Sequence, residues 1–452
     1  MTTPLRRTAA LLACWYSLEL GCAASTPPRL SWDDAGSVLG VNTHHVGALP
    51  QQEMGLLLTA GFRWIRNGCN WGDCEVTKGV YTFNSSRCGV DAFMAQLAEE
   101  DLGVVFIVGD GNAAYGMPRG FGWAQNASRE QIDAYARFTA ALATRYGDHR
   151  VLFELIEEPN TGGGYTAPRF AEAVFPAARS IRNAGGMVAG PSSANIDFPF
   201  LQELFELGLG DETDYLTVHP YRADCPETFL PDAERLQAMI QRYTPLNNTL
   251  RLSQGEVGYS YGDENPTTAT PIDSTMQAKL AVRMFLTALA ANALPSIWYD
   301  WKSDPVVPGC TGGGCGEHMG VIDSALKPLP SWHAIRALNS FISGMRFVAK
   351  VGVCHTDPCL TMGDDFALTF RNATHALIAA WSVDGFLHSA SLKFARGCWQ
   401  QHDWMGTRGP LLCPHGKLDK RLSLNHTDAA APAERYINVY LSDQPVYLTQ
   451  ML

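Results

Sequence analysis

Between about Ser37 and Met345 the chain alternates short apolar runs with longer amphipathic stretches of helical period. The apolar runs are SVLGVNTHH, FRWIRNG, GVVFIVGD, VLFELIEE, GMVAGPSS, YLTVHPY, LRLSQGE and PSIWYDW. Each is nearly continuous in hydrophobic residues, as expected of strands buried on both faces. Between them lie helical patterns such as SREQIDAYARFTAALATRYG and STMQAKLAVRMFLTALAANAL. Both open on a serine suited to capping a helix start, the first with Glu130 near the capping-box position. Eight strand-then-helix units over this length predict an α/β fold, a (β/α)8 TIM barrel. A doubly wound open sheet is the rival arrangement, but no G-x-G-x-x-G follows the first strand.

Beyond about Phe347 the pattern changes. DFALTFRN, HALIAAWSV, SASLKFA and YINVYLS are short strands separated by Gly, Asn and Asp, with no helical period between them. They predict a C-terminal antiparallel β-sandwich domain. The expected organisation is a leader over 1–24, a catalytic barrel over 25–345 and the sandwich over 346–452, with Arg29–Asp34 packing against the sandwich. No repeat or low-complexity linker separates the two units, which predicts a firm interface.

At 452 residues, 46% of them hydrophobic and 17% charged, the composition is that of a folded protein. A net charge of −11 argues against nucleic acid as a partner, since neutralising phosphates needs a basic surface. Arg6 and Arg7 precede an apolar run ending in small residues, a signal-peptide pattern, although Glu19 interrupts it. A short anchor or a lipid on Cys22 is the alternative. No later segment approaches the roughly 20 apolar residues of a membrane span. Asn-x-Ser/Thr acceptor sites at Asn84, Asn126, Asn247, Asn372 and Asn425 fit an exported glycoprotein. Outside the leader the cysteines are even in number, with close pairs at Cys310/Cys315 and Cys354/Cys359. Zinc is the competing explanation, but neither paired C-x-x-C spacing nor a histidine pair is present. The reading is therefore disulfides in an oxidising compartment.

A barrel of this kind carries its chemistry at the carboxyl ends of its strands. Those ends hold Asn42, His44 and His45; Arg66, Asn70 and Trp71; Asp110 and Asn112; Glu157, Glu158 and Asn160. They continue with His219 and Tyr221; Glu256 and Tyr259; and Trp298, Asp300 and Trp301. Carboxylates among aromatics point to carbohydrate, and paired carboxylates to glycosidic cleavage. Glu158 closes the fourth strand and Glu256 the seventh, so the two face each other across the mouth. Retention needs carboxyl groups about 5–5.5 Å apart, one as nucleophile and one as acid then base. Arg66 is the candidate to hold the nucleophile ionised, with His219 and Tyr221 as further donors.

These residues resemble glycoside hydrolase clan A, and within it the family 39-like and family 5-like enzymes. The clan's fourth strand ends in Asn-Glu-Pro, often Asn-Glu-Pro-Asn, and IEEPN matches it with Glu158 as acid/base. SQGEVGYS matches the end of the seventh strand with Glu256 as nucleophile, and VHPY and IWYDWKSD are also similar. The resemblance implies a secreted, retaining O-glycoside hydrolase of β-linked oligo- or polysaccharides, a monomer, with no metal or organic cofactor. It implies Trp298 as the floor of the sugar subsite, and Arg66, Glu157, Asn160, His219, Tyr221, Tyr259 and Asp300 as substrate-binding or orienting residues. One position departs from it. Glu157 stands where the clan keeps an asparagine that contacts the sugar 2-hydroxyl, and a carboxylate cannot donate there unless protonated. A like charge at Glu157 favours the acid role of Glu158. The alternatives are a transglycosylase and a carbohydrate-binding protein with degenerate catalysis.

Overall fold

The eight apolar runs form one closed parallel barrel in the computed structural model. The structure describes residues 30–451 apart from 148–149, 162–163, 245–249, 261, 263–270, 305–317, 355–363, 384, 394–396 and 415–435. The leader, Asn247, Asn425, Cys310, Cys315 and Cys359 fall outside the described residues.

The strands are β1 Leu39–Asn42, β2 Trp64–Cys69, β3 Gly103–Val108, β4 Val151–Leu155, β5 Met187–Ala194, β6 Tyr215–His219, β7 Arg251–Val257 and β8 Ala293–Trp298. Each pairs in parallel with its sequence neighbour, and β8 closes onto β1. Inside the barrel, Trp64, Val105, Leu152, Met187, Ala189, Tyr215 and Ile297 pack as one apolar layer. Leu30 and Trp32 seal it from below, with Trp32 5.5 Å from Trp64 between ring centroids. The N-terminal segment thus plugs the barrel floor, and Leu30–Asp33 also line a cavity with Arg346 and Phe347 of the sandwich. Its anchors are the Arg251 bond to the Leu30 carbonyl and the Gly344 amide donating to Asp34.

Successive strand residues alternate faces, so two positions above this layer the interior face is reached again. Those positions are Arg66 above Trp64 and Glu154 above Leu152, both buried. The barrel interior is therefore apolar at its amino end and charged at its carboxyl end.

The helix Arg129–Tyr146 starts as expected at Ser128, but Gln131 rather than Glu130 closes the capping box. The helix Ser274–Ala291 is capped by Asp273, whose side chain accepts from the Met276 amide, so Ser274 is already its first residue. Capping needs a side-chain oxygen on the last non-helical residue, and that boundary lies one residue earlier than the serine.

The remaining strands are β9 Arg346–Lys350, β10 Val353–Cys354, β11 Asp365–Arg371, β12 His375–Ser382, β13 His388–Lys393, β14 Trp399–His402, β15 Arg408–Leu412, β16 Tyr436–Leu441 and β17 Val446–Met451. They form a six-stranded sheet in the order β15-β14-β17-β12-β11-β9 and a three-stranded sheet in the order β10-β13-β16. The large sheet serves two cores. Ala367, Ile378 and Ala380 face the small sheet, while Phe366, Leu368, Phe370, Leu377 and Trp381 join the core shared with the barrel helices. Polar contacts fix that contact further. Buried Glu227 accepts from Arg283 at 2.8 and 2.7 Å and from the Trp381 indole at 2.6 Å, and Lys279 pairs with Asp443 at 3.0 Å.

Candidate active site

Glu157 and Glu158 follow β4 on a turn of unusual backbone. Ile156 has φ 65° and Glu158 φ 39°, left-handed values that β-branched and most other L-residues avoid. Such conformations persist only where the surroundings impose them, and they cluster at functional sites. Here they turn both carboxylates inward over the barrel mouth.

The centre of the site is Arg66, only 2% exposed. Its Nε and Nη2 fork onto Glu154, with the shortest contact 2.6 Å. Nη1 donates to Asn42 Oδ1 at 2.9 Å and also meets Glu256, while Nη2 also meets Glu157. Asn42 stands beside Arg66 because β1 and β2 pair in that register. The Tyr221 hydroxyl donates to the second oxygen of Glu256 at 2.9 Å. Arg66 and Tyr221 thus occupy one oxygen each of Glu256. Burial, followed by the charge of Glu256, pushes the Tyr221 phenol well up and keeps it a donor.

His219 Nδ1 lies 3.1 Å from Glu158 and 3.4 Å from Glu157. Burial alone lowers the His219 pKa; Glu157, Glu256 and the bond to Glu158 outweigh it and leave it raised. Gly255 allows this strand approach, since a Cβ there sits 2.1 Å from Thr217 Oγ1 and 3.3 Å from the His219 ring. Glu157 is raised to about 7, first by burial and then by Glu256 and Glu154, against the lowering effects of Arg66 and His219.

Glu157, Glu158, His219 and Glu256 each bring one ligand-type atom to within 4.8 Å of the others. That spacing suits a cation, but the guanidinium of Arg66 already meets two of the three carboxylates. A metal cation beside that guanidinium is disfavoured by simple repulsion.

The site opens into a cavity of about 540 Å³ lined among others by Asn42, His44, Arg66, Glu157, Glu256 and Tyr299. Asp300 lies at its edge, 3.2 Å from His44 Nε2. The hydrogen bond to Asp300 raises His44, against the lowering effect of its own burial.

Three expected binding residues lie elsewhere. Ile297 takes the interior face of β8, so Trp298 at the next position faces away. It is fully buried with its indole on the Met319 carbonyl, and offers a sugar no stacking surface. Tyr259 is also buried, its hydroxyl donating to the Asp224 carbonyl at 2.8 Å. Asn160 spends its amide on Ala194, accepting from N at 2.8 Å and donating to O at 3.0 Å, which clamps the turn to β5. Trp71 and Trp301 are core residues too, with indoles on Glu75 and Glu53.

Sequence reading missed Glu154, Phe121 and Tyr299. Glu154 had a signal, being a lone charge inside the apolar run VLFEL. Phe121, at the start of the 3-10 helix Phe121–Asn126, and Tyr299, just after β8, supply the aromatic surface of the cavity.

Away from the mouth, Cys74–Cys88 and Cys398–Cys413 are disulfides, and Cys88 lines the cavity rim. Burial and Asp110 keep Cys69 a thiol. Asn84 and Asn126 are exposed and Asn372 half-buried. No helix among the described residues is long and apolar enough to cross a membrane.

No protein-family model matches the chain. No curated protein matches it in sequence. Solved structures do match. A family 39 glycoside hydrolase from the gut symbiont Bacteroides cellulosilyticus WH2 superposes with a TM-score of 0.69 at 19% identity, over 93% of this chain and 82% of that one. A family 30 endoxylanase from Clostridium papyrosolvens C71 gives 0.60 at 12% identity, over 92% and 96%. A monomeric β-xylosidase from Caulobacter crescentus CB15 gives 0.58 at 16% identity, over 94% and 97%. At these identities the likeness is one of fold.

Proposed function

We propose that the chain is a retaining β-glycoside hydrolase, with Glu256 as nucleophile and Glu158 as acid/base. The observation that carries this reading is the closeness of the two carboxylates, whose nearest atoms lie within 4.8 Å across the barrel mouth. Oxygens this close favour the short carboxyl spacing of direct attack on the sugar over the wider spacing of an inverting site.

In the first step an oxygen of Glu256 bonds to the anomeric carbon as the glycosidic C–O bond breaks. Glu158 gives its proton to the departing oxygen. In the second step Glu158 takes a proton from water, the hydroxide attacks the anomeric carbon, and the bond to Glu256 breaks. Arg66 and Tyr221 hold Glu256 aimed at the anomeric carbon, and His219 orients Glu158. Phe121 and Tyr299 are the faces on which the sugar stacks. On this reading the protein is an exported, glycosylated monomer acting on oligo- or polysaccharide, in keeping with the disulfides Cys74–Cys88 and Cys398–Cys413. Xylosides lead the substrate panel, because two of the similar folds belong to a xylosidase and a xylanase.

The test is labelling with 2-deoxy-2-fluoro glycosides, which trap a glycosyl-enzyme, followed by peptide mass analysis. We expect Glu256 to carry the sugar and Glu256→Ala to be inactive. Turnover of aryl glycosides by Glu256→Ala at the wild-type rate sinks the assignment.

A further inference from the structure

The cavity at the mouth is longer than one sugar ring and lies to one side of the reacting bond. Its volume of about 540 Å³ suits a ligand larger than a monosaccharide. Its wall runs from Glu256 and Tyr299 past His44 to Asn70 and Asp110, at the ends of β2 and β3. From β8 through β1 and β2 to β3 is three strand spacings, an arc of roughly 14 Å. Glu158 stands on the other side, against His219 at the end of β6. A proton donor sits beside the departing oxygen, so the leaving group lies on the β6 side. The cavity therefore takes the attacked sugar together with the unit that precedes it in the chain.

The two ends of the cavity differ. At the near end Tyr299 stands edge-on to His44, with ring centroids 5.6 Å apart, beside Glu256. At the far end are half-buried Phe121 and a charged group that the catalytic carboxylates do not touch. Asp73 and Arg87 each precede one cysteine of the Cys74–Cys88 disulfide, which brings them together, and Arg87 Nε donates to Asp73 at 2.7 Å. Arg119 Nη2 meets the second oxygen of Asp73, and its Nε lies 3.5 Å from Asp110. Asp73 is 16% exposed but both arginines are 63% exposed. Among the described residues Arg87 is paired only through Nε, so its two terminal nitrogens remain for a ligand. Two guanidiniums balance two carboxylates here, which favours neutral hydroxyls over an anionic group, and the net charge of −11 acts in the same sense. We propose that the far end is a second sugar subsite, where a neutral sugar stacks on Phe121 and takes hydrogen bonds from Arg87, which Asp73 holds in place. Cleavage then leaves two linked sugars on Glu256. This deepens the glycosidase reading and rests on it.

The test uses 4-nitrophenyl β-glycosides of xylose, glucose and galactose, each as the single sugar and as the β-linked disaccharide. We expect kcat/KM to be about tenfold or more higher on the disaccharide glycoside, with intact disaccharide appearing in step with nitrophenol. Arg87→Met keeps the side-chain stem and Phe121→Leu keeps an apolar filling. Each should lower the ratio of disaccharide to monosaccharide activity by about tenfold, for a lost charged hydrogen bond or a lost stacking face. Equal activity on the two glycosides, single sugars released from the disaccharide, or variants that keep the ratio overturn the proposal. So does faster cleavage when the outer sugar is a uronic acid, which would make the far end an anion site. Calorimetric titration of Glu256→Ala with the free mono- and disaccharides reads the same subsite without turnover. Disaccharide should bind about tenfold tighter, an advantage erased by adding Arg87→Met, and equal binding or none sinks the idea. If no glycoside is cleaved, the glycosidase reading fails while the titration still decides the second subsite.

Discussion

Arg66 and Glu154 face each other inside the barrel with 2% and 0% of their side chains exposed, joined at 2.6 Å. A guanidinium sealed in this way is held by its partners rather than by water. Removing it leaves three carboxylates without their cation. Breaking a buried pair from one side costs about 3–5 kcal/mol, so we expect Arg66→Met to lose that much in urea unfolding. Arg66→Met/Glu154→Leu should recover part of the loss, because one orphaned charge is gone. Simple additivity of the two single changes would contradict the coupling.

Tyr221 donates to Glu256 at 2.9 Å. Hydrogen bonds to charged groups contribute about 1.5–3 kcal/mol, so Tyr221→Phe should lower kcat by roughly ten- to a hundredfold. KM should move little, because the bond serves the carboxylate rather than the bound sugar. A change confined to KM would mean that Tyr221 contacts substrate instead.

Much of the barrel was legible because its strands are buried on both faces and read as unbroken apolar runs. Arg66, Glu158, His219, Tyr221 and Glu256 followed from the strand-end rule alone, and the structure brings Arg66 and Tyr221 onto Glu256 and His219 onto Glu158. What the runs do not give is phase. PSIW reads equally well with Ile297 or Trp298 inward, and the packed layer around Ile297 decides it. Glu154 was hidden for a related reason. It belongs to the strand interior, and only the two-residue step up from Leu152 places its carboxylate beneath the site. Asn160 and Tyr259 have suitable polar ends, but backbone groups claim them before a ligand can.

The seam between the barrel and the large sheet runs through Glu227. Arg283 and Trp381 both donate to it, and all three are buried. Glu227→Ala leaves the Arg283 charge without a counter-ion, and we expect about 3–5 kcal/mol of lost stability. Trp381→Phe keeps most of the ring and removes one donor, for about 1–3 kcal/mol. Steady-state kinetics at low temperature should change little in either variant, which separates seam from site.

The crowded mouth also sets how stability depends on pH. Glu157 is raised in the folded protein from an ordinary 4.5 to about 7, so the folded state keeps a proton that the unfolded chain has lost. Between those two values the native state binds more protons, and stability falls as pH rises. The effect is on the order of 3 kcal/mol across that window. His219, raised from 6.5, acts in the same sense: its contribution is complete below 6.5 and lost as pH rises through its folded value. Asp73 and Asp91 are lowered, Asp73 by Arg87, Asn70 and Arg119 against its burial and Asp91 chiefly by Arg145; they stabilise above their ordinary 3.8 and lose that as pH falls. Melting temperature should therefore peak in mildly acidic solution and decline toward pH 8. Glu157→Gln, with nothing to ionise at that position, should flatten the decline. An unchanged slope in the variant would assign the alkaline loss to His219.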